Sequence, residues 1–127
     1  MEPVQLFDLA SQQARWLAVR QAVIAGNVAN ANTAGFKPMD VESFATVLSK
    51  TTPSMAATDA RHLGGDAFGS AVGIAESDAD VPVRPSGNSV KLEDELVKAG
   101  EIRRGFELNT AIVKAFHRMI LMTARTS

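Results

Sequence analysis

The fold of this chain is decided by residues 23–37, which read VIAGNVANANTAGFK. The stretch begins as an apolar helix, collects asparagines at Asn27, Asn30 and Asn32, and stops at a turn around Gly35. Asparagine and glycine both tolerate the left-handed backbone conformation that ends helices, so the stretch predicts a helix C-terminus. This spacing has two explanations: a capped helix end whose amides are solvated, or a functional role for the asparagines. The spacing alone does not distinguish them.

Length and composition limit the chain to one domain and exclude several classes of protein. Its 127 residues are 46% apolar but only 6% aromatic, which favours helix interfaces over a large core. A net charge of −1 provides no field that attracts nucleic acid or anionic lipid. Without cysteine, disulfides and thiolate metal sites are excluded. There is no signal-peptide pattern and no apolar window of about 20 residues, so the residues alone predict a soluble, cytoplasmic protein.

The segment before the asparagines predicts a long amphipathic helix. From Val4 to Ala31 it has no proline, and its apolar residues alternate three and four apart in a heptad seam whose single polar member is Gln21. A second stripe beside the seam makes the apolar face wider than one partner helix would cover. Arg15 and Arg20 lie off the seam, and we expect them to face solvent or a neighbouring subunit. The predicted packing residues are Phe7, Leu9, Trp16, Leu17, Val23, Ile24 and Val28.

Residues 36–88 differ in kind and predict a loose, partly extended connection. They contain four prolines and the glycine-rich run 64–73, which is unsuited to a helix interior. Within them, Val41–Leu48 can form a short helix, a β-hairpin is an alternative, and residues 81–84 can form an extended edge segment. Connections this long usually serve binding or are disordered, so we expect flexibility in the free protein.

Helical order returns near Asn88, and residues 89–127 are predicted to form the C-terminal helix. Asn88 or Ser89 can cap it, and three acidic residues in its first turns suit its positive end. Gly100 and Gly105 lie inside it at a cost of about 1 kcal/mol each, and such glycines often mark a close approach of two helices. The predicted packing residues of its heptad seam are Ile102, Phe106, Val113, Phe116 and Ile120.

The sequence therefore predicts a mainly α-helical protein. Two long terminal helices are expected to form an antiparallel, coiled-coil-like pair, joined by the loose middle segment. The predicted units are residues 1–35, 36–88 and 89–127. A lone pair of helices would leave the second N-terminal stripe in water, so packing against other subunits is expected.

No constellation of residues predicts catalysis or a bound cofactor. His62 and His117 have neither cysteines nor carboxylates at ligand spacing, so we expect no metal site. The carboxylates of Asp94 and Glu95 lack a partner base and are expected to be solvated. Nucleophile-elbow and phosphate-loop motifs are absent from the sequence. The residues predict neither an enzyme nor a small-molecule substrate.

Two motifs resemble the bacterial flagellar basal-body rod protein family. The run from Asn27 to Lys37 resembles the signature of flagellar axial proteins (rod and hook), with Ala34 where proline is usual. The element from Gly87 to Leu96 resembles one found in proximal rod proteins, with Leu96 in place of the usual methionine. The motif residues carried by this chain are Asn27, Asn30, Asn32, Thr33, Gly35, Phe36, Gly87, Asn88, Val90, Leu92 and Glu95.

The resemblance implies a structural subunit of the proximal rod that polymerises through its terminal helices to form the flagellar drive shaft. It implies other rod proteins, further copies of the chain, and the MS ring or export gate at the base as partners. It also implies export by the flagellar type III apparatus to the periplasmic rod without a cleaved signal peptide, in contrast to the cytoplasmic expectation above.

The alternative is a soluble helical-hairpin adaptor or chaperone that binds a partner through its wide apolar face. This alternative explains the heptad periodicity but not the asparagine-rich run. Gel filtration distinguishes the two, because a free rod subunit should be a partly disordered monomer, whereas an adaptor should be folded.

Overall fold

The structure, a computed structural model, describes residues 3–50, 72–77 and 83–125. His62, most of the glycine-rich run, and residues 81–82 lie outside the described residues, so the predictions made for them stay predictions. The elements in chain order are helix α1 (Pro3–Ala29), strand β1 (Met39–Val41), helix α2 (Phe44–Lys50), strand β2 (Ile74–Glu76) and helix α3 (Leu92–Arg125). The predicted mainly helical fold with two long terminal helices is confirmed.

Helices α1 and α3 lie antiparallel against each other, as their heptad seams predicted. The rings of Phe7 and Phe116 meet edge to face, 5.7 Å between centroids, near one end of the pair. At the other end, the side chain of Asn27 donates to Glu95 at 2.8 Å. Between these contacts lies the buried apolar core, formed by Leu17, Ile24 and Ile102, with Trp16 and Phe106 packed against it.

One of the two mid-helix glycines allows the helices to approach closely. A Cβ atom on Gly105 would lie only 2.9 Å from Cδ2 of Leu17, so a larger residue would displace this core side chain. A Cβ atom on Gly100 would meet no neighbouring side chain or strand within 4 Å among the described residues. Of the two glycines, only Gly105 marks a close approach.

Helix α3 begins later than predicted. The N–H groups of Asp94 and Glu95 donate to the carbonyl of Lys91 at 3.1 and 3.2 Å, which places Lys91 at the N-cap. The prediction that Asn88 or Ser89 caps this helix was therefore wrong. The oxygen that would cap α3 accepts instead from the Val90 N–H, which precedes the helix. The side chain is held there because its Nδ2 donates to the carbonyls of Asn30 and Thr33 in the turn after α1.

The middle segment contributes a two-stranded antiparallel sheet and a short helix. Strands β1 and β2 pair with Met39 opposite Glu76 and Val41 opposite Ile74. Helix α2 follows β1 directly, and the Ser43 hydroxyl accepts from the Thr46 N–H at 3.3 Å as an N-cap. The sheet lies against α1, close to the end of the helix pair where the asparagine-rich run occurs.

Candidate assembly site

A buried polar cluster ties the end of α1 to β1 and α3. Asn27 and Glu95 are 1% and 2% exposed. Nδ2 of Asn27 donates to Oε2 of Glu95 at 2.8 Å and to the carbonyl of Met39 at 2.7 Å. Oδ1 of Asn27 accepts from the Met39 N–H at 3.0 Å. One amide thus pairs with both backbone groups of Met39, as a neighbouring strand would, and fixes β1 to the helix pair.

Charged side chains extend this cluster across the three elements. Arg20 donates to Asp40 through Nε at 3.1 Å and to Glu101 through Nη1 at 3.3 Å. Lys98 donates to Oε1 of Glu95 at 3.1 Å and lies 3.6 Å from Asp40. The expectations that Arg20 faces solvent or a neighbouring subunit and that Glu95 is solvated were wrong. The chain reversal after α1 brings Asp40 beside both helices, which helical periodicity cannot indicate.

The ion pair between Arg20 and Asp40 changes the titration of both groups. Burial by itself raises the pKa of Asp40, but hydrogen bonds from Arg20 and the Val41 N–H, with the charges of Arg20 and Lys98, outweigh it and lower the pKa. Burial by itself lowers the pKa of Arg20. The hydrogen bonds that Arg20 donates to Asp40 and Glu101, together with the negative charges of these residues, outweigh the effect of burial and raise the pKa. Both residues are therefore charged at neutral pH.

The turn after α1 forms as the asparagine and glycine pattern predicted. The Asn30 side chain donates to the carbonyl of Gly26 at 2.8 Å and accepts from the Thr33 hydroxyl at 3.1 Å. Gly35 has a φ of +73°, a left-handed conformation that disfavours other residues. Asn32 is exposed to solvent, so its amide, unlike that of Asn27, is not part of the buried polar cluster.

The second motif packs directly on this turn, although more than 50 residues separate them in sequence. The Asn88 amide donates to the carbonyls of Asn30 at 2.9 Å and Thr33 at 2.6 Å. Its oxygen accepts from the Val90 N–H at 2.8 Å. Gly87 adopts a φ of +80°, and a Cβ there would lie 3.3 Å from the Cα of Gly35. The structure thus brings the two predicted motifs into direct contact at one end of the helix pair.

The predicted packing residues fall into three groups in the structure. Leu17, Ile24 and Ile102 are buried, and Val28 is exposed. The half-buried group comprises Phe7, Leu9, Trp16, Val23, Phe106, Val113, Phe116 and Ile120. Among the remaining motif residues, Val90 is buried, Phe36 half-buried, and Thr33 and Leu92 exposed.

Trp16 contacts the middle segment as well as the core. Its Nε1–H donates to the carbonyl of Glu42 at 2.8 Å, and its ring lies 6.0 Å from that of Phe44. The guanidinium of Arg20 lies 5.7 Å from the Trp16 ring centroid, within the range of a cation–π contact. Trp16 therefore helps to hold the short middle elements on the helix pair.

The helix pair leaves two apolar surfaces in water. The first, the apolar groove, runs between the C-terminal half of α1 and the first half of α3, with a volume of about 680 Å³. Its apolar lining is formed by Ile24, Ala25, Val28, Ala29, Ala99, Ile102 and Phe106. The second, the outer stripe, lies on the C-terminal half of α3 and consists of Leu108, Ile112, Ala115 and Met119, all exposed. Both surfaces are suited to contacts with other protein molecules.

Neither a metal-binding group nor a membrane span is found in the part of the chain that the structure describes. No three His, Asp or Glu side chains lie close enough there to hold a metal ion. None of the helices described combines the length and apolar character that crossing a membrane requires.

The sequence reasoning missed the buried role of Glu95, although one signal for it was present. Glu95, Ile102 and Asn109 are each seven residues apart, so Glu95 and Asn109 occupy the buried heptad position. Asn109 donates across the pair to the carbonyl of Ala10 at 2.8 Å. A carboxylate and an amide at such positions indicate buried polar contacts between the helices.

Helices that pair at one end through polar contacts and expose apolar surfaces along their length are typical of a subunit of a larger assembly. The comparisons agree. The sequence model of the family described as Flagella basal body rod protein matches residues 11–37, which cover most of α1 and the turn. The chain is 45% identical to the flagellar basal body rod protein FlgB of Agrobacterium fabrum, over 98% of this chain and 96% of that protein. The chain belongs to the flagellar basal-body rod protein family and is a structural subunit of the rod.

Proposed function

We propose that this subunit belongs to the proximal rod and polymerises through its two terminal helices to form part of the flagellar drive shaft. The observation that carries the proposal is the apolar surface that the helix pair leaves in water. Leu108, Ile112 and Met119 are 60%, 43% and 50% exposed, and the apolar groove lies on the other flank of α3. Surfaces of this extent mark sites of protein association. The proximal position is supported by the resemblance of the Gly87–Leu96 element.

The predicted packing residues have two roles in this proposal. Those buried or half-buried between α1 and α3 hold the helix pair together, which gives each subunit a defined shape to present to its neighbours. Exposed residues such as Val28 contact neighbouring subunits directly. The motif residues around Asn27 and Asn88 fix the end of the pair, so the middle segment leaves it in a defined direction.

As partners we propose other rod proteins, further copies of this chain, and the ring or export-gate components at the base of the flagellum. We further propose that the chain reaches the rod through the flagellar type III export apparatus without a cleaved signal peptide. The family supports both proposals. A function that consists of packing against neighbours requires no catalysis, and we propose that the chain is not an enzyme.

The first test is mass spectrometry of hook–basal bodies purified from the bacterium that carries the chain. Recovery in a fixed ratio to other rod proteins, after washing with salt and detergent, is the expected result. Its absence from preparations that contain the other rod proteins would contradict the proposal and favour the adaptor.

A second test places a charge in the seam. Val113→Asp puts a carboxylate at a half-buried position facing α1, and Leu17→Asp puts one in the core. We expect either variant to abolish incorporation into the rod without changing expression. Lys114→Asp is the matched control, because Lys114 is the exposed neighbour of Val113. Normal motility with Val113→Asp would count against the role of the seam.

A further inference from the structure

The outer stripe is a ridge without charge on one flank of α3. Its residues Leu108, Ile112, Ala115 and Met119 follow one another at spacings of four, three and four. At about 100° per residue, this places them on one flank of the helix, turned away from the seam that faces α1. No charged residue falls on that flank between positions 105 and 122. A surface helix normally carries its charges on such an outward face, so this flank is suited to burial by another protein.

The apolar groove is a concave surface without net charge. Small residues, Ala25 and Ala29 on α1 and Ala99 on α3, line it and leave room for larger side chains. Arg103 and Glu107 lie at its rim and form an exposed ion pair with a 3.1 Å contact, so the rim carries no net charge. By the same helical geometry, Ala99 and Arg103 lie on the flank of α3 opposite the outer stripe.

We infer that the outer stripe of one copy of this chain docks into the apolar groove of the next copy. The inference rests on the proposed function and specifies which surfaces of neighbouring copies meet. A ridge of residues spaced three and four apart fits a groove between two helices, as in ridges-into-grooves packing. Neither surface carries an uncompensated charge that the contact would bury.

Because the two surfaces lie on opposite flanks, the contact is heterologous: it joins two different surfaces of neighbouring copies. A row of copies therefore keeps a free stripe at one end and a free groove at the other. The groove is centred near position 103 of α3 and the stripe near position 113. For copies that point the same way, each contact shifts the next copy along the helix axis by roughly 15 Å. A repeated shift of this kind generates a helical arrangement and not a flat ring.

The contact is too small to hold two free chains together. The groove spans two helical turns, about 12 Å, and is about one helix diameter (10 Å) wide, so it covers on the order of 100–200 Å². Stable interfaces bury roughly 800 Å² on each partner. The free chain is therefore expected to be a monomer, and the contact forms where other neighbours hold the copies in place.

Cysteine cross-linking tests this pairing in assembled rods, since the native chain contains no cysteine. The test variant carries Ala25→Cys in the groove and Ala115→Cys in the stripe. In the antiparallel pair these positions lie roughly 27 Å apart along the helices in one molecule, too far for an internal disulfide. The control variant carries Ala25→Cys with Lys114→Cys, which moves the second thiol by one residue to the opposite flank. Both variants are oxidised in purified hook–basal bodies and resolved on non-reducing gels.

We expect the test variant to yield covalent dimers and higher multiples, at least roughly tenfold more abundant than in the control. Equal yields in both variants, or no multiples although the test variant is present in the rods, would overturn the pairing and leave the rod function standing. Absence of even the native chain from the rods would overturn the proposed function itself, so the two failures are distinguishable.

Discussion

Replacing Asn27 with leucine should remove a large part of the stability of this fold. The substitution keeps nearly the same side-chain size but removes the hydrogen bonds to Glu95 and to both backbone groups of Met39. Losing the partner of a buried carboxylate oxygen costs about 1.5–3 kcal/mol. Losing the hydrogen bonds to the N–H and the carbonyl of Met39 costs about 1 kcal/mol each, because water can partly replace them. The sum is about 3–5 kcal/mol, against a total stability of about 5–15 kcal/mol for a domain.

Urea unfolding followed by circular dichroism at 222 nm measures this loss. With a slope of about 1–2 kcal/mol per M for a chain of this size, the midpoint should fall by roughly 1.5–5 M. Asn32→Leu is the matched control, since Asn32 belongs to the same motif but is exposed, and the expected change is within about 0.5 kcal/mol. If the two variants unfold at the same urea concentration, the buried amide does not hold β1 to the helices.

Three further predictions follow from particular contacts. Gly100→Ala should raise the free energy of unfolding by about 0.5–1 kcal/mol, whereas Gly105→Ala should not, because its methyl group meets a core leucine; urea unfolding compares them. Asp40→Asn should lower the free energy of unfolding at pH 7, and the difference from the native chain should disappear in acid. Because folding lowers the pKa of Asp40, its ion pair stabilises the fold above about pH 4, and this stabilisation is lost as the pH falls further. Acid titrations at fixed urea measure it. Hydrogen exchange of the free chain should show stronger protection at 95–106 than at 113–122.

The long-range fold could be predicted because it depends on periodicity. Apolar residues three and four apart specify a helix and the face that it buries, and two such helices in a short chain specify an antiparallel pair. Leu17, Ile24 and Ile102 were identified as packing residues in this way, and they form the buried core. The turn at Gly35 could be predicted because local backbone conformation depends on residue type.

The heptad positions of Glu95 and Asn109 indicate that they are buried, but the partners of the polar contacts could not be predicted, because the separation between partners follows no period. Nothing in the spacing of Asn30 and Asn88 indicates that a carbonyl of one faces the amide of the other. The error about the start of α3 has the same origin. Asn88 has the chemistry of a helix cap, but its oxygen accepts from Val90 while its Nδ2 is anchored to the turn after α1. Local preference was overruled by a tertiary contact that satisfies more buried groups.

The two ends of the helix pair are held by different kinds of contact, and this difference bears on assembly. At the Asn27 end, directional hydrogen bonds and ion pairs fix α1, β1 and α3 relative to one another. At the Phe7 end, one hydrogen bond joins Asn109 to the Ala10 carbonyl, and the other contacts described there are apolar and half-buried, so they constrain the helices less. The outer stripe lies toward this second, adaptable end. A neighbouring copy that covers it would add apolar burial where the monomer has least, and would order the adaptable end without disturbing the fixed one. Assembly and completion of the folded core would then be one event, as expected for a subunit whose exposed apolar surface is covered only in the polymer.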